Sequence, residues 1–213
     1  MAHRGVLFLD ELTEFKRDVL EFLRQPLEDG FVSISRARQS VTFPAEFTLV
    51  ASTNPCPCGY YADPIQACTC TPRQRENYWA KLSGPLMDRI DLQVAVGRLK
   101  PTEITQQAMG EPTETVRERV QKANNLAQER FQEEEAVHCN AQMQSSHLRK
   151  WCALDEPTRQ LLEAAIGRLG LSARATDRIL KVGRTIADLA ASSDLQTAHV
   201  AEAIQYRTID RLQ

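Results

Sequence analysis

The sequence has no G-x-x-x-x-G-K-[ST] segment, and Gly-Lys does not occur once among its 213 residues. The loop that ordinarily cradles nucleotide phosphates with backbone N–H groups and a lysine is therefore missing from it. There is no bias of charge either. Lys+Arg number 26 against 28 Asp+Glu, a net charge of −2, so contact with a polyanion must come from a local patch. No apolar run approaches the length of a membrane span, and no charged-then-apolar leader precedes a cleavage site. These absences predict a cytosolic chain without membrane contact. In that reducing compartment the six cysteines are not expected to form structural disulfides. No internal repeat is evident. What remains is an ordinary globular composition, 42% hydrophobic and 25% charged, long enough for one large or two small domains.

The most informative segment is Gly5-Val6-Leu7-Phe8-Leu9-Asp10-Glu11. Residues 6–9 form a short continuous apolar run, the pattern of a strand buried on both faces of a parallel sheet. Two carboxylates ending such a strand are costly to bury without a cation. The fitting tenant is a magnesium ion bridging nucleotide phosphates, with Asp10 toward the metal and Glu11 toward an attacking water, the Walker B pattern. An acid pair after a strand also serves as a plain helix N-cap, and the residues alone divide evenly between the two readings.

Further along, residues 15–27 predict one amphipathic helix, with Phe15, Val19, Phe22 and Leu23 inward and Pro26 in the terminating turn. Residues 31–35 and 40–43 alternate apolar and polar around Arg36-Ala37-Arg38-Gln39, which predicts a β-hairpin with a basic tip. Residues 47–53 read as a second buried strand, one crossover after the first, so that Asn54 projects from the same sheet edge as the acid pair. Ligands bind at such carboxyl ends, and an amide there can orient a water or a γ-phosphate; an Asn-Pro turn is the plainer alternative. A helix is expected over residues 73–82, a short one through Met87, and a third strand over 92–96. Beyond Gly97 the pattern is helical: about 113–134, then 156–169, 173–191 and 197–207, with a connector at 133–146.

Cys56, Cys58, Cys68 and Cys70 form C-P-C-x9-C-x-C in a loop. Two close pairs of thiolates can complete a tetrahedral zinc site, although the best-attested zinc knuckles use C-x2-C. A redox pair and unpaired loop thiols stand beside zinc as readings. Cys139 and Cys152 lie far off and read as core or incidental thiols.

Four stretches taken together closely resemble the magnesium-chelatase-like AAA+ ATPases, and most of all their competence-associated, ComM-like branch. They are residues 3–11 with 23–30, Ser52-Thr53-Asn54-Pro55-Cys56-Pro57-Cys58-Gly59, and Leu82-Ser83-Gly84-Pro85-Leu86-Met87-Asp88-Arg89-Ile90-Asp91-Leu92. Ser172-Ala173-Arg174 and Val182-Gly183-Arg184-Thr185-Ile186-Ala187-Asp188-Leu189 resemble the C-terminal domain of the same family. The resemblance implies an α/β part followed by an all-α part: a partial AAA+ parallel-sheet core at 1–98, a helical linker at 99–150 and a helical lid at 151–213. It implies ATP and Mg2+ as cofactors, Asp10 and Glu11 as Walker B, and Asn54 as sensor 1. Arg89 becomes an arginine finger reaching the next subunit's nucleotide, and Arg174 the sensor 2 arginine of the lid. Arg89 can instead pair within the chain with Asp88 or Asp91. Arg174 can instead belong to a solvated basic stripe with Arg178 and Lys181. The resemblance further implies a hexameric homo-oligomeric ring, acting on DNA or, as the alternative, driving a chelatase; Arg36 and Arg38 are the candidate DNA contacts, with a plain solvated turn as the equal alternative. Without the phosphate loop, a third reading is a binding or assembly module with no ATPase activity.

Overall fold

The computed structural model describes residues 2–36, 39–99, 105, 110–134 and 137–207, and in it the two apolar runs of the N-terminal part lie side by side. Strand β1 (Gly5–Leu9) and strand β4 (Phe47–Ala51) pair in parallel, in register from Gly5 opposite Phe47 to Leu9 opposite Ala51. Between them the chain makes a 3-10 turn (Leu12–Glu14), helix α1 (Arg17–Phe22), helix α2 (Arg24–Asp29) and the hairpin β2–β3 (Phe31–Arg36 and Gln39–Pro44). Helix α3 (Pro72–Trp79) and the single turn α4 (Gly84–Met87) complete a first unit, residues 1–90. The second unit, residues 91–211, is helical: α5 (Thr113–Phe131), α6 (Ser145–Trp151), α7 (Glu156–Leu169), α8 (Ala173–Leu189) and α9 (Thr197–Gln205). An α/β part with a short parallel sheet is thus followed by an all-α part, the arrangement of a partial AAA+ core and a helical lid.

In the first unit the core is small. Leu12, Leu20, Leu82 and Leu86 are buried, with Leu9, Phe15, Leu23, Leu27, Trp79 and Met87 packed against them. Leu9 is the residue through which β1 meets this cluster. Val6 and Phe8, at alternate positions of the same strand, are 64% and 60% exposed, and Val50, opposite Phe8, is 45% exposed. The expectation of strands buried on both faces is corrected accordingly: a two-stranded ribbon has one face covered by this unit's helices and the other open.

The single helix expected over 15–27 is two. Pro26 cannot donate the i→i−4 bond that would carry α1 onward, so the chain restarts at Arg24 and Pro26 falls in the first turn of α2, where a missing N–H costs nothing. The break also turns the face. Leu20 is fully buried, whereas Val19 and Phe22, expected inside, are exposed. Gly30 closes α2 in the left-handed conformation at φ +72°, its N–H bonded to Pro26 O.

The third strand expected at 92–96 does not form. Leu92, Val94 and Val96 are exposed and the segment has no ladder. Its Gln93 N–H bonds Tyr206 O instead, and Asp91 pairs with Arg178, so these residues belong to the helical unit. A period-two apolar pattern makes a strand only where a sheet edge receives it.

In the helical unit Ala127 and Phe131 of α5, Leu148 of α6, Leu162 of α7, Ile179 and Ala187 of α8 and Val200 and Ala203 of α9 share one core. Cys152 lies in this core, and burial pushes its thiol up to about 11; Cys139 is exposed. Asp155 and Ser172 cap α7 and α8 by accepting from the N–H groups of Thr158 and Ala175. Among the described residues no helix is long and apolar enough to cross a membrane.

Candidate nucleotide-hydrolysis site and cysteine knot

The carboxyl ends of β1 and β4 are tied together by one side chain. Ser52, the first residue after β4, donates its hydroxyl in a short hydrogen bond to Asp10 Oδ1. The same Ser52 Oγ accepts from the Glu11 N–H at 3.2 Å, and the Glu11 N–H also reaches Asp10 Oδ1 at 3.1 Å. The backbone repeats the tie: Ser52 N donates to Leu9 O at 3.0 Å and Leu12 N to Ser52 O at 2.8 Å. One residue further on each side, Thr13 and Thr53 share a hydroxyl–hydroxyl bond of 2.9 Å. Thr13 is fully buried, and Lys81 Nζ donates to its carbonyl at 2.7 Å.

Glu11 holds φ 51° and ψ 53°, a left-handed conformation costing a non-glycine residue on the order of 1–2 kcal/mol. Strain of this kind collects where a side chain must be aimed, and the bonds from Ser52 fix it. Asp10 and Glu11 are exposed, as is Asn54, which continues from Thr53 at the same sheet edge. The structure therefore brings Asp10, Glu11 and Asn54 to one end of the parallel pair. Sequence reasoning missed Ser52, Thr13, Thr53 and Lys81, whose roles are hydrogen bonds across the chain that no spacing reveals.

Arg89 follows α4 in the same unit. Its side chain is only 9% exposed; Nη1 donates to Pro85 O at 2.6 Å, and Nε lies 2.8 Å from Glu28 Oε2, close but off-line for a hydrogen bond. The pairing within the chain weighed from sequence is present, but with Glu28 in place of Asp88 or Asp91. Arg174 is exposed in the first turn of α8, in the helical unit. Of its expected stripe, Arg178 pairs with Asp91 at 2.5 Å, and Lys181 donates to Ala141 O at 2.9 Å. Burial first, and Arg178 second, lower the Lys181 ammonium below its ordinary value. The hairpin exists, with Ser33–Thr42 and Ser35–Ser40 hydroxyl pairs across it. Its ladder closes at Arg36 opposite Gln39, and Arg38 lies outside the described residues.

The motif around Arg184 has a different use. Arg184 and Asp188 are 2% and 3% exposed, deep in the helical unit. Asp188 accepts from Arg184 Nε at 3.1 Å, from Arg130 through a bidentate pair and from Asn140 Nδ2 at 2.8 Å. Arg184 spends its remaining donors on the carbonyls of Ser192 and Ser193. This is a closed polar network inside the core.

The four loop cysteines converge. Sγ of Cys56 lies 3.4 Å from that of Cys58 and 3.7 Å from that of Cys68, and Cys58 and Cys68 are 3.6 Å apart. With Cys70, all four sulfurs fall within 4.8 Å of one another. N–H groups of Tyr60 and Thr69 hold the Cys58 thiol down to about 5. Burial and the neighbouring sulfurs push Cys70 up to about 12. Cys68 is raised as well, the Cys70 N–H that favours its thiolate being outweighed by burial and by Cys58 and Cys56.

Two family profiles cover this architecture between them. The one described as magnesium chelatase, subunit ChlI matches residues 1–104, and the one described as magnesium chelatase, subunit ChlI C-terminal matches 110–207. The chain is 42% identical over all 213 residues to the protein YifB of Escherichia coli and 44% identical over 213 residues to the competence protein ComM of Haemophilus influenzae. It is 41% identical over 206 residues, 97% of its length, to a protein of Mycobacterium tuberculosis. It spans 41% of YifB, 40% of ComM and 40% of the mycobacterial protein, so each relative is much longer. With both halves matched and the whole chain aligned to such relatives, the chain belongs to the magnesium-chelatase-like AAA+ family, in its ComM-like branch.

Proposed function

We propose that the chain is the hydrolysis-and-sensing part of a cytoplasmic AAA+ motor that uses ATP and Mg2+ and works on DNA as a hexameric ring of identical subunits. The observation that carries this reading is the Ser52 clamp, which fixes two carboxylates at the carboxyl end of a parallel strand pair beside Asn54. Both hydrogen bonds Asp10 accepts among the described residues fall on Oδ1, so the exposed carboxylate suits a water of a hydrated magnesium ion. Bound there, the ion would neutralise charge on the transferring phosphoryl group. Glu11 is then the group that takes a proton from the attacking water, Asn54 the amide that orients it, and Arg174 the lid arginine. The phosphate cradle must come from outside these residues, with further strands at the open sheet edges and helices over the Val6–Phe8–Val50 face.

The isolated chain is therefore expected to hydrolyse ATP no faster than background in a phosphate-release assay. Measurable turnover that Glu11→Gln abolishes would overturn the assignment of the cradle to another segment. The DNA part rests on the hairpin tip. Arg36→Ala/Arg38→Ala is expected to weaken binding to a labelled duplex and to lower the log–log salt slope by about 2. Binding and slope both unchanged would remove the hairpin from the DNA interface. The descriptions of the two family profiles favour a second reading, a motor subunit of magnesium-chelatase type, which needs no DNA contact at all. Absence of DNA binding would remove the DNA reading and leave the chelatase-type subunit beside the third reading, an assembly or binding module.

A further inference from the structure

We infer that Cys56, Cys58, Cys68 and Cys70 bind one zinc ion, and that this ion braces the loop between Asn54 and α3 so that both ends of it are fixed. The inference does not depend on ATP hydrolysis. A single zinc with sulfur bonds of about 2.3 Å places tetrahedral thiolates about 3.8 Å apart. The three sulfur separations found, 3.4, 3.6 and 3.7 Å, are close to that edge length and far longer than a disulfide bond. In a multi-iron cluster at most two of the four thiolates share an iron, so three sulfurs all within 3.7 Å of one another select a single ion. The turn is also built for it. Gly59, at φ +82°, lets its N–H fold back to Cys56 O at 2.9 Å, and Cys70 N donates to Cys68 Sγ at 3.4 Å.

Apart from the sulfurs, the loop is held only by polar and ring contacts: Arg75 lies over the Tyr61 ring at 4.5 Å, and Asp63 Oδ1 accepts from the N–H groups of Ile65 and Gln66 at 2.8 Å. From Pro55 to Thr71 it contains no helix or strand, and Cys56 is its only buried residue. Ile65, its one large aliphatic side chain, is 66% exposed. A segment of this length without an apolar core keeps a fixed path only through cross-links. What the path fixes is functional in position. Pro55, next to Asn54, accepts from Trp79 Nε1 at 3.0 Å, and Cys70 O accepts from Arg75 Nη1 at 2.9 Å. Thr71 then caps α3 in a reciprocal capping box with Gln74. The cysteine cluster therefore ties Pro55, the residue after Asn54, to the helix leading to Leu82, Leu86 and Arg89.

The test uses the full 213-residue chain, purified under reducing conditions without chelator, in a Trp151→Phe background that leaves Trp79 as the one tryptophan. Elemental analysis is expected to find about one zinc per chain, falling at least tenfold in Cys58→Ser/Cys70→Ser. Cobalt(II) added to stripped protein should give the visible bands of a tetrahedral thiolate site. Removing the metal should shift Trp79 emission and expose the 56–70 loop to protease, with zinc reversing both. No bound zinc and no cobalt spectrum in a chain whose helical circular dichroism is intact would overturn the site, and iron in place of zinc would overturn the identity. Zinc bound but released without any change in Trp79 emission or protease sensitivity would overturn the brace.

Discussion

Asp188→Ala is expected to destabilise the helical unit by about 3–5 kcal/mol, a large fraction of what a domain has. The carboxylate is the common partner of two guanidiniums, Arg184 and Arg130, and of the Asn140 amide. Its side chain is 2% exposed and that of Arg184 is 3% exposed, so water cannot replace it. Truncation leaves two cations facing each other in the core, and Arg184, tied to the Ser192 and Ser193 carbonyls, cannot swing outward without giving up the chain end of α8. Asp188→Asn should fare nearly as badly, since its amide N–H groups would point at other donors. The exposed pair Arg159–Glu156 supplies the control: Glu156→Ala should change stability by less than about 1 kcal/mol. Urea unfolding followed at Trp151 in a Trp79→Phe background measures all three. A loss below 1 kcal/mol for Asp188→Ala would show that the network is not holding the unit together.

That network also marks how far the sequence reaches. Arg184 and Asp188 are four apart on one helix, a spacing that can be read. Arg130, 58 residues before Asp188 in the chain, joins it only through the packing of α5 on α8. The same division runs through the candidate site. The parallel neighbourhood of β1 and β4 was legible because apolar runs ending in polar residues, with one crossover between them, allow few other arrangements. The convergence of the four cysteines was one of the readings their spacing left open, beside a redox pair and unpaired loop thiols. Ser52 and Thr13 were not, because a hydroxyl gives no periodic signal and its partner is chosen by register. The failed strand at 92–96 and the open face of β1 share one cause: an apolar pattern, alternating or continuous, states what a strand needs on each side, and the sheet that would supply it is not formed by the described residues. The turned face of α1 has another, the missing N–H of Pro26.

The largest kinetic effect is expected at Arg89, in a polypeptide that joins this chain to a phosphate-binding loop. Arg89→Ala should lower ATP turnover about 10³- to 10⁵-fold, the range found where an arginine acts on the transferring phosphoryl group. Glu11→Gln should lower it comparably by removing the acceptor of the water's proton. The two losses differ in where the residue acts. Arg89 lies against Glu28 and Pro85 O, so as a finger it must exchange Glu28 for a neighbouring subunit's phosphate, one anion for another. If it reaches across a ring interface, a mixture of the two variants contains sites with Glu11 from the Arg89→Ala subunit and Arg89 from the Glu11→Gln subunit. Those sites are complete, and turnover in the mixture should rise far above either variant alone, peaking near equal proportions. If Arg89 acts on its own subunit, every site in the mixture lacks one group and turnover stays at the sum of the two. Glu28→Gln separates the structural part of the pair: freeing Arg89 from its resting partner should leave turnover intact or raise it, and a loss as deep as that of Arg89→Ala would mean that the ion pair, and not the guanidinium's reach, is what catalysis requires.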